Sequence, residues 1–98
     1  MRDEDQDGVY AISVAAEMVS MQVQNLRVYE RRGLLEPLRT AGGTRRYSRA
    51  DIRRLVRIRD LLAEGLNLAG IERVLALEEQ LARLHRENER LRRGPASR

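Results

Sequence analysis

Ninety-eight residues make one small domain with a modest core, and the absence of cysteine excludes disulfides and thiolate metal or redox chemistry. All nineteen basic residues are arginine, set against fifteen acids for a net charge of +4. No apolar run reaches the roughly 18 residues a membrane span needs, and the opening Met1 to Asp7 is acidic where a secretory leader is basic, so a cytoplasmic chain is expected.

The charge is uneven. Residues 22–59 carry eleven arginines against three acids, while residues 1–9 carry four acids against one arginine. A positive centre beside an acidic lead points to a polyanionic ligand, although an arginine-rich face can also be a solvated surface or the product of a GC-rich genome. Arginine suits planar two-pronged contacts to phosphate or guanine.

Taken in order, residues 1–9 read as a disordered lead-in and Tyr10 to Ile12 as a short strand. Ser13 is the expected N-cap of a first short helix with an apolar stripe at Val14, Ala15, Met18 and Val19. Ser20 then interrupts and caps a second helix, Met21 to Arg32, which Gly33 ends because a residue without Cβ accepts a left-handed helix terminus. Two short helices across a tight turn form a helix-turn-helix, whose second member normally enters the major groove. Pro37 to Thr40, the turn Ala41-Gly42-Gly43 and Thr44 to Tyr47 then predict a β-hairpin.

Ser48 with Asp51 three residues on resembles a capping box and starts a third helix, Arg49 to Glu64. Its core face is expected at Ile52, Leu55, Val56, Ile58, Leu61 and Leu62, with Arg49, Arg53, Arg54 and Arg57 on the other side. Gly65 stops it, and Asn67 caps a fourth helix, Leu68 to Arg92. There Val74, Leu81 and Asn88 fall at a positions and Leu77, Leu84 and Leu91 at d positions of a heptad seam. With little of its own domain left to cover it, this seam predicts dimerisation through the same helix of a second copy. Asn88 is read either as a register device or as an inert residue where the helix frays. The organisation is thus a lead-in over 1–9, a winged helix-turn-helix over 10–66, dimerisation helices over 67–93 and a mobile tail over 94–98.

The motifs LRVYERRGLL and GGTRRYS, set within ISVAAEMVSMQVQNLRVYERRGLLEPLRT, AGGTRRYSRADIRRL and GLNLAGIERVLALE, resemble the MerR family of bacterial transcription regulators, and in particular its heat-shock repressors. The resemblance covers about Tyr10 to Leu84. It implies a mainly α winged helix-turn-helix with an antiparallel coiled coil of C-terminal helices, binding an inverted repeat in double-stranded DNA as a homodimer. It also implies repression of chaperone and stress genes at promoters used by RNA polymerase, with an Hsp70-type chaperone as a co-repressor. Activation by promoter distortion, as other family members perform, and nonspecific architectural binding are the alternatives, and a non-DNA scaffold is a third.

Carried over position by position, Gln24 and Arg27 lie where the recognition helix reaches base edges and nearby phosphates. Gln22, Asn25 and Tyr29 match positions that hold the backbone, and Arg45 and Tyr47 match wing residues that grip phosphate. The chemistry agrees: Gln pairs with adenine, Arg with guanine, and guanidinium or phenol hydroxyl with phosphate. Tyr29 could instead pack in the core. Val28 stands where an aromatic often sits, which puts one backbone contact in doubt.

Among the neighbours, Arg46 should point to the opposite face from Arg45 and pair with Glu30 or Glu36. Arg39 reads as a DNA contact or a rim charge, and Glu30 as a structural partner of an arginine. The lone His85, the missing carboxylate pair and the missing nucleophile triad suggest no metal, cofactor or catalysis.

Overall fold

The computed structural model describes residues 9–94, so most of the expected lead-in and of the terminal tail lies outside the described residues. In chain order the elements are α1 (Ile12–Met18), α2 (Val23–Arg31), β1 (Leu38–Arg39), β2 (Arg45–Arg46), α3 (Arg49–Ala63) and α4 (Leu68–Arg93). They fall into two compact units, Met1–Glu64 and Gly65–Arg98.

In the first unit α1 packs on α2. Its N-cap is Ala11, with no side-chain cap, so Ser13 sits inside the helix rather than in front of it. The buried stripe is Ala15, Ala16 and Val19, whereas Val14 and Met18 are 43% and 48% exposed. The expected stripe is therefore rotated, and two alanines at the buried face allow close helix approach. Ser20 caps nothing either: it takes φ +57 in the turn, and α2 starts behind Gln22, which gives no side-chain cap bond. The turn is closed by the backbone, Ser20 N–H donating to Glu17 O (3.1 Å) and Met21 N–H to Ala16 O (2.9 Å).

The end of α2 follows the expectation. Gly33 is at φ +81, its N–H donates to Glu30 O at 3.0 Å, and Leu34 N–H donates to Tyr29 O at 2.8 Å. This is the Schellman arrangement, with Leu34 buried beyond it. The hairpin pairs Leu38 with Arg46 and Arg39 with Arg45, two residues per strand and shorter than predicted. Thr40 N–H donates to Thr44 O at 2.8 Å across a loop in which Gly43 sits at φ +87. The strand expected over Tyr10 to Ile12 shrinks to a single bridge, Tyr10 against Tyr47, because Ile12 already opens α1.

The capping box on α3 forms as read: Ser48 Oγ accepts from Asp51 N–H (3.0 Å) and Asp51 Oδ2 accepts from Ser48 N–H (2.9 Å). Leu55, Ile58 and Leu61 are buried, Ile52 and Val56 half-buried, and Leu62 is exposed at 37%. The arginines of α3 do not form a purely solvated side. Arg54 Nε donates to Leu34 O at 2.6 Å, and Arg59 Nη1 donates to Val19 O at 3.0 Å, so two guanidiniums satisfy carbonyls at the ends of other segments.

In the second unit Asn67 Oδ1 accepts from Gly70 N–H at 2.8 Å and α4 runs for 26 residues. Ile71 and Leu75 are buried and Val74 half-buried. The rest of the seam, Leu77, Leu81, Leu84, Asn88 and Leu91, is exposed, its leucines at 61–67%.

Candidate nucleic-acid interface

The nine residues of α2 divide cleanly by side. Leu26 is 0% and Tyr29 4% exposed, and at 100° per residue Gln24, Arg27 and Arg31 project from the opposite side, all exposed. Gln22 at the N-cap and Asn25 in the first turn are exposed as well. The buried pair anchors the helix, so the polar side chains are carried on a rigid surface. This face offers one amide and two guanidiniums in register with a helix axis, the chemistry that reads base edges and adjacent phosphates.

The wing is tied to this helix by one carboxylate. Glu30 Oε2 accepts from Arg39 Nη2 at 2.7 Å, and Glu30 Oε1 accepts from Arg45 Nε. Arg39 Nη1 continues to Gly43 O at 3.1 Å in the hairpin turn. The expectation that Glu30 holds an arginine is met twice over, but its partner on β2 is Arg45 rather than Arg46. The reason is register: Arg45 lies directly opposite Arg39, so both project from one side of the ribbon, toward α2, and Arg46 projects from the other. What sequence reasoning missed is that Arg39 and Arg45 share one acceptor. A lone acid between basic flanks, nine and fifteen residues from two arginines of a hairpin, was the available signal.

The two tyrosines lie in the core, Tyr29 in the alternative place the sequence allowed it. Tyr47 is fully buried, and its Oη is buried with no hydrogen-bond partner among the described residues. Burial pushes its hydroxyl above the ordinary 10.0; Glu30 and Asp51 push the same way, while Arg45 and Arg27 oppose them. Burial likewise raises Tyr29. Both rings are core residues first: aromatic area is worth more inside a small domain than at its surface. A phosphate does not reach Tyr47 in this arrangement. The expected DNA set thus separates into the exposed Gln22, Gln24, Asn25 and Arg27, the half-buried Arg45, and the buried Tyr29 and Tyr47.

Residues 10–78 match the model of the MerR HTH family of regulatory proteins. The chain belongs to that family. The MerR assignment is supported along most of the chain by individual relatives. It is 52% identical over 77 residues to the heat shock protein HspR of Streptomyces coelicolor, covering 78% of this chain and 51% of that protein. It is 36% identical over 73 residues to the transcriptional regulator TnrA of Bacillus subtilis, covering 74% and 66%. Among solved structures, HiNmlR, a MerR family regulator lacking the sensor domain and bound to promoter DNA, superposes with a TM-score of 0.65 at 26% identity, covering 85% of this chain and 70% of that one. The N-terminal part of the Bacillus subtilis multidrug transporter activator, MtaN, gives 0.64 at 29% identity, covering 86% and 89%. This MerR chain therefore carries the DNA-binding fold of the family's transcription regulators. It spans about half the length of HspR and of the GlnR regulators of Bacillus. No helix among the described residues is long and apolar enough to cross a membrane.

Proposed function

We propose that the chain is a sequence-specific DNA-binding repressor of chaperone and stress genes, acting in the cytoplasm on the nucleoid as a homodimer on an inverted repeat. The observation that carries this reading is the exposed Gln24, Arg27 and Arg31 face on a helix anchored by Leu26 and Tyr29, with Arg45 of the wing joined to the same helix. Gln24 and Arg27 read base edges; Gln22, Asn25 and Arg45 hold the backbone. Similarity to HspR supports repression and brings an Hsp70-type chaperone into consideration as co-repressor.

The dimer is formed by Val74, Leu77, Leu81, Leu84, Asn88 and Leu91, paired antiparallel as in the family. Residues 10–66 act as the reading head, and residues 67–93 as the dimerisation segment. Four large leucines in heptad register, each more than half exposed, leave an apolar stripe that water disfavours. Two-fold pairing of the heads requires a two-fold site. Repression follows if the dimer covers the sequence that RNA polymerase needs.

The test is selection of bound fragments from random DNA, followed by footprinting on the recovered site. With about four phosphate contacts per subunit, the log–log salt slope is expected near roughly −7. Affinity unchanged between low and moderate salt would sink the reading. The likeness to the activator MtaN favours a second reading, in which the dimer distorts an over-long promoter spacer. Footprinting separates the two: protection across the polymerase site supports the repressor, a kink within a long spacer the activator.

A further inference from the structure

We propose that Glu30 is a positioning residue for DNA reading, a carboxylate that makes the base-reading side of α2 and the phosphate-gripping wing behave as one rigid body. The inference rests on the reading above and assigns each arginine of the wing a separate task.

The ribbon is anchored at its base, where Tyr47 is buried and bridges Tyr10, but its own pairing does little to hold the end that carries the turn. Each strand pairs only two residues, and the pair that closes it toward the turn is Arg39 opposite Arg45, two like charges face to face. Such a ribbon is destabilised by its own side chains unless an anion stands between them. Glu30 is that anion, one oxygen for each guanidinium, and its side chain is only 16% exposed, so solvent screens the two pairs less than surface ion pairs. It lies three residues beyond Arg27, one turn along the helix, so the tie is made close to the residues that face the bases.

The atoms used divide the labour. Arg39 spends both terminal nitrogens internally, Nη2 on Glu30 and Nη1 on Gly43 O, so it is a strut running from α2 to the tip of the wing. Arg45 engages Glu30 through Nε, which leaves its two terminal nitrogens outside that bond. A guanidinium held by Nε and offering its Nη pair is oriented for a phosphate. Three charges in contact leave one net positive charge shared by the two guanidiniums, and of these Arg45 is the one whose terminal nitrogens are not used on Glu30.

A simpler role for Glu30 would be to subtract charge near a polyanion, and the two roles predict opposite outcomes. The probes are a duplex selected by the wild-type full chain from a random pool and a scrambled duplex of the same length and composition. Glu30→Gln is expected to bind the selected duplex about tenfold more weakly, because one bridging anion is lost, while the scrambled duplex is bound equally or slightly more tightly. Arg39→Lys keeps the charge but cannot span both acceptors, and is expected to lose the same factor. Combining the two is expected to cost no more than either alone, since both cut one tie.

If Glu30→Gln tightens binding to both duplexes alike, or Arg39→Lys binds as wild type, Glu30 merely tunes charge and the assignment fails. Arg39 is half exposed, so Arg39→Lys remains informative even if Glu30→Gln is unstable. A wild-type chain that selects no duplex overturns the DNA-reading proposal itself, and this inference with it; a wild type that selects while the variants match it overturns only this inference.

Discussion

Leucines of α2 and α3 and those of the later turns of α4 meet opposite fates. In the first set, Leu26, Leu55 and Leu61 are 0–3% exposed; in the second, Leu77, Leu81, Leu84 and Leu91 are 61–67% exposed. Apolar residues recur three or four apart on both α3 (Leu55, Ile58, Leu61) and α4 (Leu77, Leu81, Leu84), so periodicity records that a helix has an apolar side without saying what covers it. The first set is buried, as are Tyr29, Tyr47, Ile58 and Leu35. The second is a surface awaiting a cover, and a second copy presents the same surface.

One substitution made in both places tests this directly. Leu55→Ala is expected to cost about 2–5 kcal/mol, a large share of the stability of so small a domain, read as a shifted midpoint in urea. Leu84→Ala, measured where the chain is dilute enough to be monomeric, is expected to change stability by no more than about 0.5 kcal/mol. Equal costs would mean that Leu84 is covered within its own chain. A charge in the seam sharpens the contrast: Leu81→Glu is expected to raise the dimer dissociation constant by about 100-fold in sedimentation equilibrium, with the helical signal of the dilute chain retained. Unchanged self-association would remove the α4 seam from the proposed dimer.

The same contrast explains which parts of the fold were legible. Ser48 with Asp51, Asn67 with Gly70 and Gly33 after α2 are local devices whose bonds close within three to five residues, and each forms where the sequence places it. Ser13 and Ser20 carry the same cap chemistry yet cap nothing, because the backbone decides which of several candidates precedes the first helical turn. Ser20 goes instead to φ +57, one of the strained positions a tight turn requires. The exposed polar face of α2 was legible because Leu26 and Tyr29 define its inner side. The hairpin was legible too, but which of its arginines meets Glu30 was not, since the side each occupies depends on hairpin register, and a slip of one residue exchanges Arg45 for Arg46.

The tyrosines show the limit most clearly, for a phenol has an apolar body and a polar tip and fits either environment. Their burial has a measurable sign. The folded state raises both hydroxyls above 10.0, so it holds them protonated, whereas in the unfolded chain they ionise at the ordinary value. Stability from these groups is therefore fully present below about pH 10 and is lost as pH climbs through their folded values. Titration of tyrosinate absorbance is expected to lag in the native protein and to return to the ordinary midpoint in denaturant. Coincident native and denatured curves would place the two hydroxyls in water.

The smallest expected effect is the most discriminating. Tyr47→Phe removes one oxygen that is buried and makes no hydrogen bond among the described residues, so stability should hold or rise by up to about 1 kcal/mol. Because the ring keeps its place in the core, affinity for the selected duplex should stay within about twofold and the salt slope should not change. A phosphate ligand at this position would behave otherwise: its loss would weaken binding to every duplex while leaving the midpoint in urea where it was. That outcome would mean the wing opens on DNA and releases Tyr47, and the division between a closed head and an uncovered tail would then describe only the free protein.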